Sequence, residues 1–140
     1  MIKKILLILS CIFFIGIVLT NSLKAQRSCT LQGRYAVGGS FSGIVELKFV
    51  DGSNYYNGGI MGRRSGNWVC ELYEIRSLLS TPVSPTGTTN YIYQGTAKCS
   101  PPVVNSTQPM QAHITLRCPG EAIWVNLGNG IIKLKGEKIR

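Results

Sequence analysis

Short apolar stretches separated by turn residues run through the chain from Leu31 onward. In 43–50, Val45, Leu47 and Phe49 alternate with Glu46 and Lys48. In 110–118, Met110, Ala112, Ile114, Leu116 and Cys118 share one face, and Gln111, His113, Thr115 and Arg117 share the other. In 130–135, Ile132 and Leu134 oppose Lys133 and Lys135. A period of two marks half-buried antiparallel strands. The pattern predicts strands over 32–37, 43–50, 53–61, 66–75, 91–99, 110–118, 121–127 and 130–135. Gly38-Gly39, Asp51-Gly52, Arg63-Arg64-Ser65-Gly66, Pro119-Gly120 and Gly128-Asn129-Gly130 separate them. Asp-Gly and Asn-Gly supply the positive φ that tight hairpins need.

About eight short strands joined mostly by short turns predict an all-β domain, a small antiparallel β-barrel or β-sandwich. One segment dissents: Leu72, Ile75 and Leu79 have helical spacing, so a short helix over 71–80 competes with the strand. Trp68 shares parity with Cys70 and Leu72 and is expected in the core beside a disulfide. In 121–127, Ile123, Val125 and Leu127 form the evident core face. Trp124 is then either buried on a second core face, as in a sandwich, or an outward contact anchor beside Lys133 and Lys135.

The first 25 residues read differently. Lys3 and Lys4 precede an almost unbroken apolar run from Ile5 to Leu19, and Leu23-Lys24-Ala25 places a small residue before Gln26. That is the layout of a secretory signal peptide over 1–25, followed by a single domain over 26–140. As a helix the run spans about 23 Å, short of the roughly 30 Å hydrocarbon core. A retained membrane anchor and a lipidated Cys11 are the competing readings, and both fit the run less well.

Cleavage after Ala25 removes Cys11 and leaves Cys29, Cys70, Cys99 and Cys118, an even set suited to an oxidising compartment. Four cysteines allow three pairings, and spacing does not choose among them. No Cys-x-x-Cys pair exists, so a four-thiolate zinc site is not expected, nor any other metal or cofactor. The expected location is secreted or periplasmic, with no stable membrane span after cleavage.

The chain of 140 residues suits one domain. Removing Lys3, Lys4 and Lys24 leaves 12 basic against 6 acidic residues, a mature net charge of +6. Lys48, Arg117, Lys133 and Lys135 are predicted to point outward, and Arg63-Arg64 lies on a turn. Tyr55, Tyr56, Tyr91 and Tyr93 could add aromatic faces to such a surface. Export separates the protein from cellular nucleic acid, so an acidic partner is the more sensible target. Two loops, Ser77–Asn90 and Ser100–Gln108, suit binding at the mouth of a β scaffold. Asn105-Ser106-Thr107 matches the N-glycosylation pattern.

Catalytic signals are sparse. His113 is the single histidine and falls on the polar face of its strand. Glu71 and Glu74 share a face only if their segment is helical. Gly39-Ser40-Phe41-Ser42-Gly43 places its serines out of register for a nucleophile elbow, and Gly128-Asn129-Gly130 lacks the rest of a dinucleotide loop.

Cys29-Thr30-Leu31-Gln32-Gly33-Arg34-Tyr35 resembles the Gly-x-Trp opening strand of lipocalin and avidin-type barrels, with Tyr35 in place of the tryptophan. The resemblance covers seven residues and implies a closed up-and-down barrel; no binding residue is carried across from it.

The function expected from these features is a non-enzymatic binding module for a protein, glycan or small apolar ligand. Tyr55, Tyr56, Arg63, Arg64, Tyr91, Tyr93, Trp124, Lys133 and Lys135 are its candidate contact residues. An exported inhibitor or immunity protein is one specific version. The alternatives are a small hydrolase of anionic polymer using His113 with a nearby glutamate, and a structural envelope component.

Overall fold

The computed structural model describes residues 29–80 and 87–140. The leader reading and part of the Ser77–Asn90 loop lie outside the described residues. Eight antiparallel strands form a closed barrel in which each strand pairs with its neighbours in sequence: β1 (Gly33–Gly39), β2 (Gly43–Phe49), β3 (Tyr55–Gly62), β4 (Trp68–Ser80), β5 (Thr89–Cys99), β6 (Met110–Cys118), β7 (Ala122–Leu127) and β8 (Ile132–Lys138). β1 closes the ring by pairing with β8, Tyr35 opposite Lys138 and Gly39 opposite Leu134. Closure leaves no unpaired sheet edge to template pairing with another chain.

Alternation places one face of every strand inside. Val45, Leu47, Ile60, Leu72, Ile75, Ile114, Leu116, Ile123, Val125, Leu127, Ile132 and Leu134 are all buried and fill the interior. An eight-stranded barrel has an interior just wide enough for side chains to fill, and these apolar side chains occupy it. The barrel is plugged at both ends. Leu31, ahead of β1, is fully buried at one end. Val104, in the β5–β6 loop, is buried at the other, with Val103 and Met110 packed beside it. Where strands approach most closely, glycine is required: a Cβ on Gly136 would run into the carbonyl oxygen of Ala36 on β1.

Two disulfides staple the ring, Cys29–Cys118 and Cys70–Cys99. The first ties the plugging N-terminal segment to the end of β6, and the second joins β4 to β5. This settles the pairing that spacing left open. Such bonds are compatible with an extracellular or periplasmic protein. No helix among the described residues is long and apolar enough to cross a membrane.

Three expectations are corrected. The segment 71–80 is strand, not helix: the β3–β4 register shifts between Leu72 and Ile75, and the β4–β5 register shifts at Tyr73–Arg76 and again at Ser77–Leu79. The inserted residues stretch the inward spacing to three, so Leu72 and Ile75 both face in, and Glu74 takes a left-handed φ of 54°. Trp68 is not in the core but 53% exposed. A further shift opposite Ile60–Met61 turns Val69 toward the core and Trp68 out. Finally, a closed single sheet has one core only, so the second core face considered for Trp124 does not exist, and its side chain is on the outside.

Candidate functional site

The sequence-predicted contact residues separate into three groups. Tyr56, Tyr91 and Tyr93 turn inward and not to the surface: Tyr93 is buried, while Tyr56 and Tyr91 pack on the core. Tyr56 lies edge-on to Tyr93 at 5.9 Å and to Phe49 at 5.3 Å. Burial and the neighbouring tyrosines push the Tyr93 phenol up to about 12. Tyr55 faces out at the start of β3 and receives the Arg76 guanidinium 5.0 Å from its ring centroid. Arg63 and Arg64 are exposed on the β3–β4 turn, away from the inward tyrosines.

Trp124, Lys133 and Lys135 form the third group, and the fold brings them together. Trp124 on β7 pairs with Thr115 on β6 and with Lys135 on β8. The adjacent cross-strand row is His113–Asn126–Lys133, and the next is Arg117–Ala122–Glu137. All of these positions alternate with buried residues and so share the barrel's outer face.

Arg117 points outward, as the alternation of its strand predicts, and stands beside Trp124, a contact that the alternation alone does not give. Its guanidinium carbon lies 4.6 Å from the indole centroid. Its Nε donates a 3.3 Å hydrogen bond to Asn90 Oδ1 on β5. The cation is thereby held in place by an amide on one strand and an aromatic ring on another, and a cation so placed loses little freedom on meeting an anion. Arg117 and Trp124 are diagonal neighbours on the adjacent strands β6 and β7, a contact set by the register between the strands and not by any spacing within one of them.

Charge is distributed unevenly around the barrel. Glu46, Asp51, Glu71 and Glu74 belong to β2, the β2–β3 turn and β4. Glu121 lies at the plugged N-terminal end, ion-paired with Lys138 and 3.5 Å from Arg140. Glu137 is the carboxylate within the three rows of the β6–β8 face, against Arg117, Lys133 and Lys135. The face therefore carries a surplus of positive charge around an indole.

His113 has Gln94 and Asn126 as its cross-strand neighbours, so the ladder sets no carboxylate beside it. Glu71 and Glu74 are both exposed on the bulged β4, with Glu74 3.7 Å from Arg76. Among the described residues, no cluster of three or more metal-ligating side chains occurs. Asn105 is exposed in the β5–β6 loop. That loop borders a groove of about 410 Å³ lined by Val103, Val104, Met110 and Ile131. Comparison with known families, with curated proteins and with solved structures finds no match to this chain.

Proposed function

We propose that this protein is an exported, non-enzymatic binding module that engages an acidic partner on the outer face of β6, β7 and β8. The observation that carries this reading is the stacked Arg117–Trp124 pair flanked by Lys135 and Lys133. Aromatic and arginine side chains anchor interfaces out of proportion to their number. Cations in adjacent cross-strand rows offer charge at intervals that an extended polyanion or an acidic protein surface can follow. The apolar side chains that occupy the interior favour recognition on the surface over capture in the lumen. The leader-like first 25 residues and the two disulfides support export.

The test is capture of partners from the protein's own extracellular milieu by the oxidised protein, at low and at high salt. The reading expects one dominant acidic partner that is lost as salt rises, because screening weakens exposed charge pairs. Lys133→Glu with Lys135→Glu should abolish capture without loss of fold. Capture indifferent to both salt and charge reversal contradicts it.

A further inference from the structure

A second surface, on the opposite part of the ring, has different chemistry. Trp68 is 53% exposed at the start of β4. Its benzo ring rests on Gly59 of β3: a Cβ there would stand 2.9 Å from Cε3 and 3.0 Å from Cζ3. Glycine at 59 thus lets the indole settle directly on the strand backbone. The ring is a common wall of two open grooves. One, of about 370 Å³, is lined by Glu46, Lys48, Asn57 and Glu71. The other, of about 160 Å³, is lined by Glu71, Lys98, Ser100 and Thr107.

We propose that Trp68 is the stacking platform of a binding site for a neutral oligosaccharide, with Glu71 reaching its hydroxyl groups from the wall shared by both grooves. The ligand class follows by elimination among chemistries. A polyanion or a nucleic acid strand lacks the positive surplus it needs here, because Glu46 and Glu71 on either side of the ring offset Lys48 and Lys98. An apolar ligand or a protein hot spot needs several apolar neighbours, whereas the other exposed large hydrophobics, Phe49, Leu78, Ile131 and Ile139, do not line either groove. A pyranose ring has one apolar C–H face for the indole and a rim of hydroxyls for carboxylate, amide, ammonium and hydroxyl groups. Glu71 has no ion-pair or hydrogen-bond partner for its side chain among the described residues and so is available to accept from such a rim. Two grooves meeting at one ring suit a chain of sugars passing over it better than a single residue.

This site goes beyond the β6–β8 reading and is tested separately from it. Cellohexaose, chitohexaose and maltohexaose are titrated into the oxidised protein by calorimetry, at concentrations up to about 10 mM so that a millimolar Kd is seen. In a Trp124→Phe background, which leaves Trp68 as the sole indole of the two in the chain, emission is followed in parallel. The proposal expects saturable binding of at least one of the three, with a change in Trp68 emission and no loss at high salt. Trp68→Ala should weaken it roughly tenfold or more, the scale that stacking on an aromatic side chain supplies. Trp68→Phe should retain part of it, and Glu71→Gln should weaken it while leaving the thermal transition in place. The last two variants keep the test valid should Trp68→Ala not fold. No binding of any of the three sugars, or binding unchanged in both Trp68→Phe and Glu71→Gln, overturns the proposal. Neither result bears on salt-sensitive binding at β6–β8.

Discussion

The Tyr35 hydroxyl donates a 2.8 Å hydrogen bond to the backbone carbonyl of Leu31, the residue that plugs the barrel end. The first strand thus fixes the segment that precedes it. Lys138 at the end of the last strand adds to the same joint: its Nζ donates to the Thr30 carbonyl at 2.8 Å, pairs with Glu121 and lies 5.4 Å from the Tyr35 ring. Tyr35→Phe removes one hydroxyl and leaves the Leu31 carbonyl with an unmet acceptor, which costs about 1–3 kcal/mol when buried. The expected result is a cooperative transition at a lower denaturant midpoint with an unchanged slope. An unchanged midpoint contradicts the role of the plug.

The same tyrosine gives the fold an alkaline limit. Burial, then the Glu121 charge, raises the Tyr35 phenol far above its ordinary value, and Tyr93 is pushed up to about 12. An unfolded tyrosine titrates at about 10. Below about pH 10 both phenols are protonated in the folded and unfolded chain, and the stability is fully present. Above it the unfolded chain binds fewer protons, so each buried phenol removes about 1.4 kcal/mol per pH unit until its folded value is passed. Thermal melts should therefore be level up to about pH 10 and fall steeply above it. Tyrosinate absorbance of the folded protein should show Tyr35 and Tyr93 ionising well above the ordinary range of a tyrosine.

The two disulfides should differ in worth. They close segments with sequence separations of 89 and 29. Loop entropy then assigns about 4.6 kcal/mol to Cys29–Cys118 and about 3.6 kcal/mol to Cys70–Cys99. Paired Cys→Ala variants, compared by urea unfolding, should show the larger loss for Cys29–Cys118, because it also releases the Leu31 plug. Equal losses, or the reverse order, contradict this.

Glu74 tests how β4 is built. Its left-handed φ of 54° disfavours a side chain by about 1–2 kcal/mol, and glycine removes that strain. Its backbone N–H donates to Asn57 Oδ1 at 3.0 Å, a bond that glycine keeps. The exposed ion pair with Arg76, at 3.7 Å, contributes little. Glu74→Gly should therefore be neutral or stabilising by about 1 kcal/mol. In a helix interior the same change would cost about 1 kcal/mol, so the sign of the shift separates the two structures.

The strand pattern was legible wherever the pleat runs undisturbed. Strands at 43–49, 110–118 and 122–127 follow the alternation almost residue for residue, and the closed barrel agrees with the opening motif at Gly33 and Tyr35. Bulges defeat that reading, because one inserted residue converts a spacing of two into three. Leu72 and Ile75 took on a helical spacing in this way, and Trp68 lost its parity with Cys70. Trp124 shows a second limit. Whether an aromatic on the polar side of a strand is buried depends on whether another layer covers it, and local pattern does not record closure of a sheet on itself. Contact pairs such as Arg117 with Trp124 depend on register between strands, which only the assembled ring sets.

The most direct test of surface recognition is an amide and indole chemical-shift titration of the oxidised protein with a heparin hexasaccharide as the acidic probe. The account predicts perturbations concentrated at Arg117, the Trp124 indole, Lys133 and Lys135, diminishing as salt rises. Perturbations centred on the inward residues Tyr91, Tyr93 and Leu116, or none at the β6–β8 face, would contradict it.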